Sequence, residues 1–398
     1  MPRSRPVVAP ETERVKVAVA VVFVLNGLAF ASWVSRVPAV RDGLGLTPGG
    51  VGLLLLGLSL GTFVALPVSG AVVARIGPAR SVTLAAVAST VGLVVMSAGL
   101  RSSTVALVAC GMFVYGIGTS GWDVAMNVEA ADVERRLRRT LMPRFHAGFS
   151  TGTVTGALLG AVCARLGIPL PDQLLATAVV VLVATPLATR AFAPVAALAH
   201  GETRSAGVLA AWREPRTLLV GLVVMAFALA EGIANDWVAL ALVDGYAASE
   251  ALAAAGFAVF VSAMTLGRLF GGSLVERVGR VTALRITGVL VTSGVVVVVW
   301  SPAVPGALVG AALWGLGASL GFPLGMSAAG DEGPRSAARV SVVSSIGYAA
   351  FLGGPPFVGL LADAAGVRQA IVVAAVAGLL GAALAAATAP LQQSDQMS

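Results

Sequence analysis

GMFVYGIGTSGWDVAMNVEAADVE, from Gly111 to Glu134, begins as an apolar run and then admits Asp123, Asn127 and Glu129 before the basic cluster Arg135, Arg136, Arg138 and Arg139. About two hundred residues later the chain carries a variant of it, ALWGLGASLGFPLGMSAAGDE, from Ala312 to Glu332. Tyr115-Gly-Ile-Gly-Thr-Ser120 corresponds to Trp314-Gly-Leu-Gly-Ala-Ser319, and Met126 then corresponds to Met326. One copy holds an acid within its apolar run, and the other holds Pro323 near the matching place. A membrane-length segment written twice implies a duplicated helical unit.

The composition fits that reading. Of 398 residues, 57% are hydrophobic and 11% charged, against ~25% charged in a soluble globular chain. Mean hydropathy is +0.92. Apolar runs of about twenty residues recur throughout, each long enough to cross a ~30 Å hydrocarbon layer as a helix. Spanning backbone must satisfy its own hydrogen bonds, so only helices or a closed barrel qualify, and these runs are too long and too little alternating for barrel strands. The expected class is an all-α integral membrane protein embedded in a lipid bilayer.

Twelve spans are predicted, near 17–38, 49–73, 81–99, 104–129, 145–166, 173–193, 217–241, 251–273, 283–300, 304–328, 340–362 and 368–388. They divide the chain into a tail (1–16), a six-helix bundle (17–193), a linker (194–216) holding His200, Glu202, Arg204 and Arg213, a second bundle (217–388) and a tail (389–398). With the N-terminus inside, 20 of the 26 basic residues fall in inward segments. Five fall outward, namely Arg36, Arg41, Arg101, Arg165 and Arg368, and Arg268 lies within a span. That asymmetry places both termini in the cytoplasm and accounts for the net charge of +7 without nucleic acid. Many arginines beside one lysine fit a GC-rich bacterial genome, hence a bacterial cytoplasmic (inner) membrane. Ala29-Phe30-Ala31 resembles a signal-peptidase site, but this segment has a counterpart in the second half, which argues against cleavage.

Cys110 and Cys163 sit in apolar runs without ligand spacing, and His146 and His200 are the only histidines, so no metal and no cofactor are expected. Two motif matches are set aside. Gly116-x-Gly118-x-x-Gly121 lacks the acid of a dinucleotide fingerprint, and Gly317-Ala-Ser319-Leu-Gly321 lacks the strand and histidine of a nucleophile elbow. No Walker loop is present, so direct use of ATP is not indicated.

The halves correspond at an offset of 202 residues, as in Arg75-Ile-Gly77 and Arg277-Val-Gly279, each with a glycine five positions before the arginine (Gly70, Gly272). His146-Ala-Gly-Phe-Ser-Thr-Gly152 matches Tyr348-Ala-Ala-Phe-Leu-Gly-Gly354. Asn26-Gly-Leu-Ala-Phe-Ala-Ser-Trp33 resembles Glu231-Gly-Ile-Ala-Asn-Asp-Trp237. Internal repeats of this kind mark secondary transporters, whose solute site lies near the midplane at the repeat interface.

On these features the chain resembles the major facilitator superfamily. The loop after span 8 fits its pattern with Gly272, Glu276, Arg277, Gly279 and Arg280. The loop after span 2 has Gly70, Arg75, Gly77 and Arg80, with Ala74 where that family usually has Asp. The resemblance implies that these loops control the conformation of two pseudo-symmetric bundles. Asp123-Val-Ala-Met-Asn127, Met142-Pro-x-x-His146, Glu231-Gly-x-x-x-Asp236-Trp237 and Gly353-Gly-Pro-Pro356 resemble, more narrowly, the MosC-like, fucose-permease-related branch.

Ionisable groups inside spans cost ~2.5–3.5 kcal/mol on insertion scales and are functional candidates by default. Glu231, near the middle of span 7, is the leading proton-coupling candidate, with Asp236 and Asp123 as the others. Asp236, five residues beyond Glu231, falls on a different face. Asp123 has Asn127 one turn on and reads either as an inner gate or as an ion-pair partner of Arg144 or His146. Arg268 reads as a cation snorkelling to the membrane edge rather than one pairing with an acid, and Arg36 and Arg41 as interface anchors. Candidate solute contacts are Asn26, Asn127 and Asn235, with Trp33, Trp122, Trp237 and Trp314, one each from spans 1, 4, 7 and 10. Those indoles stack on a cyclic solute or an organic cation, or else sit at the membrane interface. Gly148, Gly152, Gly156 and Gly160 form a packing face in span 5, expected to slide between the halves.

The expected function is secondary transport of a small polar organic solute, such as a sugar, polyol or amino sugar, by alternating access, coupled to protons, in a monomer that is not an enzyme. Rival readings are a proton-driven exporter of drugs or metabolites, a membrane-embedded hydrolase using Ser319, and a non-transporting solute sensor.

Overall fold

The computed structural model describes residues 10–137, 141–192, 206–331 and 335–390. Arg138, Arg139, His200, Glu202, Arg204 and Glu332 lie outside them, as do residues 1–9 of the expected first tail and 391–398 of the last. The described residues are helical and carry no strand.

The helices are α1 (Pro10–Val34), α2 (Val37–Leu44), α3 (Pro48–Ile76), α4 (Pro78–Arg101), α5 (Val105–Leu137), α6 (Met142–Arg165) and α7 (Leu170–Thr189). Then follow α8 (Ala206–Ala211), α9 (Pro215–Tyr246), α10 (Glu250–Trp300), α11 (Val304–Ala318), α12 (Gly321–Ala329), α13 (Ser336–Ala365), α14 (Val367–Ala370) and α15 (Val372–Leu384). Eleven stretches among the described residues are long and apolar enough to span a membrane. The longest, α10, has 51 residues and breaks its helical geometry at Gly279, which divides it into two membrane lengths. Twelve crossings result.

The chain forms two compact units, one of Met1–Trp33 with Gly57–Ala199 and one of Val34–Leu56 with His200–Ser398. Two local expectations change. Residues 10–16, read as tail, are the first turns of α1, where Glu13 and Lys16 pair three residues apart. Within the expected linker, 206–211 form α8.

Glycine decides how the helices meet in each unit. In the first, a Cβ on Gly92 would lie 2.6 Å from the Tyr115 backbone nitrogen, and one on Gly118 would lie 2.4 Å from that of Ser89. In the second, Gly294 meets the Trp314 nitrogen at 2.4 Å and Gly317 meets that of Val291 at 2.4 Å. The glycine-rich motifs are therefore backbone contacts of α4 with α5 and of α10 with α11, which is how small residues bring helices together in lipid. The stripe on α6 has a different partner from the one expected. A Cβ on Gly152 would fall 2.0 Å from the Val24 carbonyl oxygen and one on Gly156 2.8 Å from that of Leu28, so the stripe seats α6 on α1 of its own unit.

Gly77 and Gly279 have nearly the same backbone angles, φ 83° with ψ 161° and φ 77° with ψ 163°. That region is open essentially to glycine alone, so the repeated Arg-x-Gly marks the same sharp exit from a helix twice. In the second unit polar ends are tied by two acids. Glu214 accepts from Arg339 Nε at 2.6 Å, Arg335 Nη1 at 3.0 Å and Thr217 Oγ1 at 2.9 Å. Asp331 accepts from Arg216 Nη2 at 2.9 Å and from both terminal nitrogens of Arg280 at 3.1 Å.

Candidate functional site

In the first unit Asn26 is 2% exposed and joins α1 to α5. Its carbonyl accepts from Thr119 Oγ1 at 3.1 Å, and its amide approaches the Met126 sulfur at 3.7 Å. Asp123 receives the Asn127 amide on its own carbonyl oxygen at 2.8 Å and on Oδ1 at 3.3 Å. The ion pair with Arg144 or His146 is not formed; Asp123 has no cation partner among the described residues. Among the described residues its hydrogen-bond partner, Asn127, comes from the next turn of the same helix.

In the second unit α9 carries Glu231, Asn235, Asp236 and Trp237. Arg268 of α10 places Nη2 3.1 Å from both carboxylate oxygens of Glu231, and its Nε is 3.4 Å from the Ser319 carbonyl. The snorkelling expectation for Arg268 is thereby corrected, because its guanidinium turns to a charge on the neighbouring helix. Side-chain exposure of 32% for Arg268 and 17% for Glu231 leaves the pair partly open. Asn235 lies one turn from Glu231 and so on its face. Asp236 is partly buried and has neither hydrogen-bond nor ion-pair partner among the described residues.

The four tryptophans Trp33, Trp122, Trp237 and Trp314 are each 0% exposed. Trp33 packs edge-on against Tyr115 (ring centroids 6.2 Å apart) and Phe30 (6.1 Å), and Trp314 against Phe260 (5.9 Å). None reaches the protein surface, whereas Trp300 at the end of α10 is 63% exposed. All four buried indole nitrogens lack a hydrogen-bond acceptor among the described residues.

Arg36 and Arg41 are not interface anchors. Arg36 is 3% exposed and makes two hydrogen bonds to the Glu250 carboxylate, at 2.5 and 3.0 Å. Arg41 Nη1 lies 2.5 Å from both carboxylate oxygens of Asp244. Asp363 accepts the Gly49 N–H at 2.9 Å at the start of α3. These three contacts fasten Val34–Leu56 to α9, α10 and α13 within the second unit. Nothing in the sequence pairs these residues, which are 203 to 314 positions apart.

Ser319 is 1% exposed and its hydroxyl donates to the Leu316 carbonyl at 2.6 Å. It sits at the junction of α11 and α12, enclosed by helices, and is not presented as a nucleophile.

A family model described as Major Facilitator Superfamily matches residues 19–338 and 220–396. The chain is 33% identical over 372 residues to the uncharacterized transporter y4wD of Sinorhizobium fredii, covering 92% of this chain and 96% of that one. It is 26% identical over 366 residues to membrane protein MosC of Rhizobium meliloti, covering 91% and 87%. Among solved structures it is similar to the nucleoside transporter NupG, with a TM-score of 0.73 at 14% identity over 94% of this chain and 98% of that one.

Proposed function

The chain belongs to the Major Facilitator Superfamily, and we propose that it moves a small polar organic solute across the bacterial cytoplasmic membrane by alternating access, coupled to protons. Both termini face the cytoplasm in this reading. The observation that carries it is the contrast between two acids on α9. Glu231 is balanced by Arg268, while Asp236 has no cation partner among the described residues.

An uncompensated charge is the costly one in a membrane, and taking up a proton removes that cost. Asp236 is therefore the proton carrier, in place of Glu231, the acid that sequence position alone favours. Asp123, which also has no cation partner among the described residues, is the proposed second proton site, in the first unit. Glu231 and Arg268 form a neutral but strongly polar pair, and with Asn235 they offer donors and acceptors to a hydroxyl-rich solute. Asn127 is the proposed solute contact of the first unit, whereas Asn26, 2% exposed, and the four tryptophans Trp33, Trp122, Trp237 and Trp314, each 0% exposed, pack within their own units. The turns at Gly70, Arg75, Gly77 and Arg80 and at Gly272, Glu276, Arg277, Gly279 and Arg280 are the proposed conformational loops. The similarity to a nucleoside transporter supports a polar, sugar-bearing solute class and goes no further.

Proteoliposomes loaded with a pH dye and challenged with sugars, polyols, amino sugars and nucleosides test this reading. In the wild type one solute class is expected to trigger proton entry. Asp236→Asn should abolish the proton signal, and Glu231→Gln should raise KM for the solute. An unchanged proton signal in Asp236→Asn would remove it as carrier. Solute flux without a proton signal in the wild type would overturn the coupling.

A further inference from the structure

A cleft of about 340 Å³ opens in the first unit between the N-terminal ends of α1 and α6. Among the described residues its walls are Val17, Ala20, Val21, Val24, Leu25, Leu141 and Phe145, and its charged lining groups are Lys16 and Arg144. Its volume is that of a small-ligand pocket, ~300–1,000 Å³, but it has almost no polar group to orient a polar ligand. Val17 is 58% exposed and Val21 39%, so the apolar wall is open.

The two cations stand where both helices begin. Arg144 is exposed and has no acidic partner among the described residues. Lys16 pairs with Glu13, and the side chains are 35% and 45% exposed, which makes this a solvated surface pair of small energy. Other arginines are neutralised, Arg216, Arg280, Arg335 and Arg339 by Asp331 and Glu214, and Arg135 and Arg136 by Asp132. In the first unit Arg75, Arg80 and Arg144 have no acidic partner among the described residues. An apolar cleft beneath Arg144, which has no acidic partner among the described residues, and Lys16, held only by a solvated surface pair, is complementary to one chemistry, an anionic head group on an aliphatic chain.

We propose that this cleft binds an anionic phospholipid of the cytoplasmic leaflet, with Lys16 and Arg144 holding its phosphate and the valine-lined wall taking an acyl chain. The assignment of leaflet rests on the inward orientation that the arginine distribution implies. Basic pockets between helices on that side are a recognised physical basis for holding anionic lipid head groups, each cation near the surface contributing ~1 kcal/mol.

Native mass spectrometry of the full chain, purified from vesicles of phosphatidylglycerol and phosphatidylcholine in equal parts, tests the proposal. The wild type should retain one phosphatidylglycerol, and phosphatidylcholine should be retained at least tenfold less. Lys16→Gln with Arg144→Gln should reduce the phosphatidylglycerol adduct about tenfold. Val21→Trp, which fills the cleft and keeps both cations, should do the same, with both variants eluting as folded protein. Equal retention of the two lipids, or retention unchanged in both variants, would overturn the proposal. Displacement of the lipid by millimolar inorganic phosphate would also overturn it, because the site would then hold a free anion.

Discussion

Arg268 on α10 stands 3.1 Å from both carboxylate oxygens of Glu231 on α9, so the two charged groups in the middle of these helices compensate each other. Without its partner, either would be an isolated charge in a low-dielectric surround. Removing one member of such a pair leaves the other uncompensated, which costs more than removing both. Either Glu231→Gln or Arg268→Gln is expected to lower the melting temperature in detergent. The double variant should recover much of that loss, with a coupling energy of ~0.5–3 kcal/mol. Additive losses would mean that the contact contributes nothing.

The clasp on Val34–Leu56 is expected to respond to salt unevenly. The side chains of Arg36 and Glu250 are 4% and 31% exposed, whereas Arg41, at 14%, is shared between Asp244 at 30% and Asp42 at 63%. Screening acts mainly on solvent-exposed charges. The stability loss of Arg41→Gln should therefore shrink between 50 mM and 1 M salt, while that of Arg36→Gln should persist. Thermal melts across the salt series check both.

Gly77→Ala and Gly279→Ala should each cost ~1–3 kcal/mol, because their backbone angles lie in a region that side chains rarely enter. Gly70→Ala and Gly272→Ala meet open space and should melt near the wild-type temperature. If all four variants behave alike, strain is not what distinguishes these positions.

Gly152→Ala should destabilise by ~1–3 kcal/mol or prevent folding, since its Cβ would fall 2.0 Å from the Val24 carbonyl oxygen. Gly148→Ala meets that chain at 3.4 Å and should be milder. The comparison is readable in expression level and melting temperature.

A pH dependence follows from Glu214, just before α9. Burial disfavours its charge, but hydrogen bonds from Arg339, Thr217 and Arg335 outweigh that and bring it down to about 2. A carboxyl held below its unfolded value of ~4.3 stabilises fully above that pH and loses the contribution as pH falls through the folded value. The difference in melting temperature between wild type and Glu214→Gln should be constant from pH 7 to 5. It should shrink below pH 4.5 and vanish near pH 2. A difference that grows on acidification would reverse the sign and refute the linkage.

The sequence by itself determined what depends on composition and repetition. Membrane-length apolar runs must be helices because lipid offers the backbone no hydrogen-bond partner, so the spans were readable within several residues. The duplication was readable because Arg75-Ile-Gly77 and Arg277-Val-Gly279 keep both their residues and their register. Glu231, Asp236 and Asp123 stood out because acids in apolar runs are costly. Tertiary structure alone decided which of those acids has a counter-charge. Arg268 is 37 residues from Glu231, Glu250 is 214 from Arg36, and Asp244 is 203 from Arg41. Periodicity along one helix says which face a residue occupies, not which neighbouring helix meets that face. That choice is made by glycines such as Gly152 and Gly294, which let particular backbones touch and so fix which side chains come within reach.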